Sequence, residues 1–286
     1  SATPRRYGDP EGTARIFDYF GPVVPPPISL LDAIAAGRLV EYEYFPHPIR
    51  LTAMEADEWK TLSKAISREI AKQKNDDKGA KSLSNKARML LIRRARIAKK
   101  AAGKARLAAE ILQAYYHKGE RWLIYCEDND QLREIKDAIE ATGLSASEYH
   151  SAMNGDKAGT LKWFREFGGI LVSIRCLDEG VDIPAISHAL ILASSQNPRQ
   201  FIQRRGRVLR KSPGKQLAVI HDVIVVPVSL VDEPEQLSLL KAEFIRAIEF
   251  AGSAINRSAG AELRSIAATM GFDPEEAYTD AIEEEE

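Results

Sequence analysis

Apolar positions change their spacing several times along the chain, and each change marks an element. Ser1 to Pro27 has no sustained apolar repeat, and its "GPVVPPP" run suits neither a helix interior nor a central strand, so the zone reads as a linker. In "SLLDAIAAGRL", Ser29 is placed to cap a short helix and Gly37 to stop it; "LVEYEYF" then alternates as a strand does. From Thr52 to about Tyr116 the spacing is helical, and Thr52 and Glu55 stand at the separation of a capping box. Polar residues between Asn75 and Asn85 interrupt it. Two or more helices forming a hairpin are the simplest account.

Beyond this region short apolar runs alternate with amphipathic stretches. "WLIYC", "SEYHS", "GILVSI", "SHALIL" and "QLAVIHDVIVV" read as strands. Between them, "NDQLREIKDAIEATG" carries Leu132, Ile135 and Ile139 on one helical stripe, and "GTLKWFREFG" forms a second helix. Such alternation predicts an α/β fold: a parallel sheet flanked by helices, with ligands beyond the carboxyl ends of its strands. Two further helices follow within 233–271 and are expected to pack back on the sheet. The zones are therefore 1–27, 28–51, a helical insertion at 52–118, a core at 119–228 and C-terminal helices with an acidic tail at 229–286.

Composition narrows the class. No apolar run approaches the roughly 20 residues of a membrane span. Cys126 and Cys176 lie far apart within apolar runs, as buried thiols of a cytoplasmic protein would, and no His/Cys spacing suggests a metal. The three tryptophans and His188 and His221 read as packing residues, while His150 and Glu127 read as polar residues at strand ends. The formal net charge of -1 conceals a strong asymmetry. Lys60 to Arg106 holds sixteen Lys or Arg against three acids, whereas 273–286 holds eight acids and no base. The basic block suits phosphates, through counterion release, as well as a solvated or protein-docking face.

A second concentration of charge is "PRQFIQRRGRVLR", with five arginines in thirteen residues. On a helix, Gln203, Arg207 and Arg210 share one face, and Gly206 leaves room beside it. Arginine forks match phosphate oxygens bidentately and keep their charge, although a basic surface helix would use the same residues. "CLDEGVDIP" lies past a predicted buried strand. There Gly180 permits close backbone approach and Asp182 can accept from a ribose hydroxyl, unless the loop only turns the chain.

Taken together, these segments resemble the second RecA-like domain of a superfamily two DEAD/DEAH-type helicase. "SATPRR" resembles motif III, "WLIYCEDNDQ" motif IV, "ILVSIRCLDEGVDIP" motif V, and "QFIQRRGRVLR" the QxxGRxxR of motif VI. The wider sequence is similar to the type III restriction and repair branch. The resemblance implies that Arg207 and Arg210 are arginine fingers for a γ-phosphate, with Gln203 nearby, and that Gly180, Asp182 and Gly206 border the nucleotide. It implies that Ser173, Ile174, Arg175, Asp128, Asn129, Asn154 and Gly155 face a nucleic-acid backbone. Ile174 stands where many relatives carry Thr, and Lys157 near where they carry Arg.

No GxxxxGK[ST] cradle and no DEAH tetrad occurs, and "AAGKARL" lacks both the first glycine and the final hydroxyl. The expectation is a C-terminal half that hydrolyses no ATP alone. An N-terminal RecA-like domain, in cis or in trans, would hold most of the ATP and Mg2+. DNA, or less readily RNA, would be the track, with a nuclease or methyltransferase subunit as a further partner. A non-catalytic module that docks nucleic acid or protein is the alternative, and a nucleotide-binding transferase a weaker one.

Overall fold

The computed structural model describes residues 10–26, 28–76, 83–174, 186–193 and 206–273. Six strands form one sheet: β1 (Glu41–Ile49), β2 (Arg121–Cys126), β3 (Ala146–Tyr149), β4 (Gly169–Ile174), β5 (His188–Ile191) and β6 (Leu217–Val225). They lie in the order β1-β6-β5-β2-β4-β3, and every pairing is parallel. The helices are α1 (Pro10–Phe20), α2 (Leu30–Ala35), α3 (Ala53–Asp76), α4 (Asn85–Lys99), α5 (Gly103–Tyr115), α6 (Asn129–Glu140), α7 (Lys157–Phe167), α8 (Leu237–Gly252) and α9 (Ser258–Thr269). Alternate residues of β2 serve two cores. Leu123 and Tyr125 meet Phe164, Phe244 and Leu263 on one face, while Trp122, Ile124 and Cys126 meet Leu112, Leu132 and Ile135 on the other. Burial on both faces explains why the parallel strands read as near-continuous apolar runs.

One reading is corrected. The zone 1–27 contains a helix, α1, where a linker is expected. Pro10 occupies its first turn, where a missing N–H is harmless; the helix stops only at Gly21, whose φ is 81° and whose N–H reaches the Phe17 carbonyl. The predicted Ser29 cap and the predicted Thr52–Glu55 capping box both form, and the first is itself a box. Ser29 and Asp32 bond reciprocally at the start of α2, and Thr52 and Glu55 do so ahead of α3. The basic region resolves into an antiparallel hairpin of α3 and α4, tied by Glu58–Arg93 and Glu69–Lys86, while α5 leaves it to lie beside α6 under the sheet.

β1 is an edge strand that contains Pro46 and Pro48. Tyr44 points its backbone N–H outward, to the Asn256 side-chain oxygen at 2.8 Å, and its carbonyl accepts from the Asn256 amide at 2.8 Å. Residues two and four further on share that outward row, so neither proline removes a ladder donor. Asn256, with the Ile255 N–H on the Tyr42 carbonyl at 3.0 Å, covers an edge that would otherwise invite another strand.

The C-terminal helices are pinned to the sheet by buried charge. Arg246 of α8 forks onto Asp222 of β6 at 2.9 and 3.0 Å, and also reaches Glu243 at 3.0 and 3.2 Å. Tyr44 donates its hydroxyl to Asp222 at 3.0 Å, and the Val225 N–H donates to Glu243 at 3.3 Å. Burial works against the Arg246 charge, but the two carboxylates outweigh it and raise its pKa well above the ordinary value. Arg246→Met would leave both carboxylates buried without that partner and should cost about 3–5 kcal/mol in urea unfolding. Tyr44→Phe, which removes one donor, should cost about 1 kcal/mol.

On the opposite face, Trp122 stacks on His188 with centroids 4.5 Å apart and on His221 at 5.3 Å, and His47 Nε2 lies 2.9 Å from His221 Nδ1. Burial first, then the neighbouring His47 and His188, lowers the His221 pKa from 6.5 to about 3. The unfolded chain therefore binds a proton that the folded chain refuses between these two values. Stability from this group is complete above pH 6.5 and declines as pH falls toward 3. Chemical unfolding followed across that window should show the wild type losing more stability than His221→Phe.

Candidate nucleic-acid and phosphate interface

The carboxyl ends of β2, β4 and β3 lie side by side, and three of the predicted strand-contacting segments follow them. After β2, Asp128 caps α6: its Oδ1 accepts the Gln131 N–H at 3.0 Å. Its other oxygen pairs with Lys100 at 2.8 Å. Burial would raise this carboxyl, but the Lys100 and Gln131 hydrogen bonds outweigh it and hold the pKa below its ordinary value. Gln131 braces the same turn by accepting the Glu127 N–H at 2.8 Å and donating to the Lys99 carbonyl at 2.7 Å. Lys99 pairs with buried Glu127 at 3.1 Å. Asp128 is thus occupied as cap and ion-pair partner, whereas Asn129 stands exposed in the first helical turn.

Ser173 is fully buried within β4, and Ile174 is half-buried at its end. Arg175, Gly180 and Asp182 lie outside the described residues, as do Cys176 and Gln203. After β3, Asn154 and Gly155 are exposed; Gly155 has a φ of 120°, which a side chain would oppose. Lys157 binds the Ser151 carbonyl and closes that turn from within. Asn129, Ile174 and the Asn154–Gly155 turn are therefore brought to one edge.

Two of the arginines are placed elsewhere. Val208 and Leu209 are buried in the core, the Leu209 carbonyl accepts the Val40 N–H at 2.9 Å, and Arg210 bridges to Leu39. Leu39 and Val40 precede β1, so this segment sits by the amino end of the edge strand, away from the carboxyl edge. Lys215 holds it further through the carbonyls of Val208 and Arg210, and burial lowers the Lys215 pKa to about 8. On this anchored backbone Arg207 is half-buried and Arg210 exposed. A Cβ at Gly206 would meet none of the described atoms within 4 Å.

Several polar residues escaped the sequence reading. Lys104 is buried at the start of α5 and donates to the Leu192 carbonyl just past β5; burial lowers its pKa to about 8. An Asp inside the apolar run "HDVIVV" and a Glu–Arg pair three apart in "AEFIRAIEF" were the available signals for the Asp222–Arg246–Glu243 cluster. Among the described residues no group of three or more His, Cys, Asp or Glu is placed to hold a metal ion, and no helix is long and apolar enough to cross a membrane.

The family described as helicase conserved C-terminal domain matches residues 103–212, from α5 through the anchored arginines. The putative ATP-dependent RNA helicase MJ1505 of Methanocaldococcus jannaschii is 28% identical over 112 residues, covering 36% of this chain and 14% of that protein. The DNA 3'-5' translocase XPB2 of Sulfurisphaera tokodaii is 30% identical over 111 residues, covering 38% and 24%. The matched stretches thus span less than a quarter of those relatives. Among solved structures, the Sulfolobus solfataricus SWI2/SNF2 ATPase core in complex with dsDNA gives a TM-score of 0.49 at 16% identity, covering 79% of this chain and 50% of that one. Residues 103–212 thus match the helicase conserved C-terminal domain family, and the parallel sheet flanked by helices gives the chain the RecA-like α/β fold of such domains.

Proposed function

We propose that this chain is the arginine-finger half of an ATP-driven motor that moves along nucleic acid, DNA in preference to RNA. The observation that carries the reading is the GRxxR segment: its backbone is fixed by buried Val208 and Leu209 and by Lys215, while Arg210 is presented exposed and Arg207 half-buried. Preorganised guanidinium groups stabilise charge that develops on a transferring phosphoryl group, without reorganisation at the moment of reaction. In this reading Arg207 and Arg210, with Gln203, meet the γ-phosphate of ATP held with Mg2+ mainly by a first RecA-like domain, in cis or in trans. Gly180, Asp182 and Gly206 border the nucleotide. Arg175, Asn129, Ile174 and the Asn154–Gly155 turn, with Asp128 and Ser173 supporting the edge, track the strand. Opening and closing of the interdomain cleft would then alternate the grip. The restriction and repair branch, a nuclease or methyltransferase partner and a cytoplasmic setting belong to the same proposal.

The test joins the chain to a first RecA-like domain in its parent protein and measures ATPase activity stimulated by nucleic acid. Arg210→Ala should lower turnover about 1000-fold or more while nucleotide binding is retained. Unchanged turnover would move the arginines to strand or partner binding and favour the docking module. The chain alone should show no stimulated hydrolysis, measured with the parent protein as the positive reference.

A further inference from the structure

The α3–α4 hairpin lies outside the matched helicase segment. Its base packs where β1 and β6 end: Trp59, Ala98 and Ala101 meet Val225, Leu239 and Ile49. At the same base, the Ala102 N–H donates to Glu55 at 2.8 Å, and Lys99 and Lys100 pair with Glu127 and Asp128 in the β2–α6 loop. The hairpin therefore rises from the carboxyl edge of the sheet, beside the candidate strand contacts. At a rise of 1.5 Å per residue, α3 is about 36 Å long.

Its inner side is accounted for. Leu62, Ser63 and Ile66 of α3 and Ala87 and Ala98 of α4 are buried. Arg94 lies 4.9 Å from the centroid of the Trp59 ring and donates to Ser63 at 3.1 Å, and Arg93 and Lys86 are spent on Glu58 and Glu69. The far side of α3 differs. Lys60, Lys64, Arg68 and Lys72 follow one another at intervals of four, all exposed. They form one slowly turning stripe with neighbours about 6 Å apart along the axis. Lys60 pairs loosely with Glu235 at 3.8 Å; Lys64, Arg68 and Lys72 make no ion pair within 4 Å among the described residues, although Lys72 is near enough to Glu69, already bonded to Lys86, to help lower its pKa.

We infer that this stripe of α3 is an arm that grips the phosphate backbone of a nucleic-acid duplex extending from the strand-binding edge. The inference rests on the nucleic-acid part of the proposed function. Residues flanking the stripe, Thr61, Ser67 and Ala71, are small or hydroxylated, with Asp57 at its base. A protein interface needs buried aromatic or aliphatic anchors at its centre, whereas the exposed apolar side chain of this face, Met54, stands at its N-terminal end. Lysine, arginine, serine and threonine are what phosphate contacts use. Contacts of this kind position the duplex without reading its sequence.

The experiment measures binding of the chain to a fluorescent DNA duplex of about twenty base pairs by anisotropy, across a range of salt concentrations. The variant Lys64→Ala/Arg68→Ala/Lys72→Ala is compared with Lys118→Ala/Lys162→Ala/Arg257→Ala, which removes equal charge from other exposed positions. Loss of three phosphate contacts should flatten the slope of log affinity against log salt by up to about 2.7. Affinity at low salt should fall at least about tenfold, and the second variant should follow the wild type. An α3 variant with unchanged slope and affinity overturns the arm, as does an equal fall in the second variant. Failure here is separable from failure of the motor reading. Stimulated turnover that depends on Arg210 while duplex binding ignores the α3 charges overturns the arm alone. Turnover indifferent to Arg210 with binding that depends on those charges overturns the motor alone.

Discussion

The fork of Arg246 onto Asp222 is the contact on which the arrangement of the C-terminal helices depends. A carboxylate in the middle of a parallel strand, buried on its sheet face, is tolerable only if a cation reaches it with good geometry and the remaining lone pairs are used. Arg246 supplies the fork, Tyr44 a further donor, and Glu243 a second carboxylate that in turn accepts from Val225. Three elements, β1, β6 and α8, are thereby fixed in one register, where apolar packing alone would accept several. Phe250 and Asn256 then reach the edge strand, through the Tyr42 hydroxyl at 2.6 Å and the Tyr44 backbone, and complete its cover.

That fixed edge strand in turn determines where the arginines are presented. The GRxxR segment is attached to the chain just ahead of β1, through Val40 and Leu39. Candidate strand contacts emerge at the other ends of the strands, after β2, β4 and β3. A domain built this way keeps the GRxxR segment and the carboxyl edge of β2, β4 and β3 apart while linking both to a single sheet. The rise of the α3–α4 hairpin from the carboxyl edge adds a third, strongly basic element on the strand side.

Much of the sheet was legible in the chain, because strands buried on both faces must be apolar and the helices between them must carry one apolar stripe. The Ser29 cap and the Thr52–Glu55 capping box were legible for a related reason: a cap is a contact between residues three apart and needs no tertiary context. The helix at Pro10–Phe20 was hidden by the proline and glycine signals that follow it, which dominate a reading of the zone as a whole. The roles of Lys99, Lys100 and Lys104 were hidden for another reason. In the sequence they are three members of a basic block, and only the approach of α4 and α5 to the β2–α6 loop and to Leu192 separates them from their exposed neighbours.

The sequence by itself determined the alternation of strand and helix, the basic insertion and the GRxxR segment, since each is written in local spacing or in residue type. Tertiary structure decided which charges are buried and paired and which are exposed. It placed Asp128 as a cap and Ser173 in the interior, made Asp222 and Arg246 a single unit, and left Lys64, Arg68 and Lys72 on an open face. The reason is physical: the free energy of a charge is set by the groups and the water within a few ångströms of it, and for these residues the nearest groups are far away along the chain.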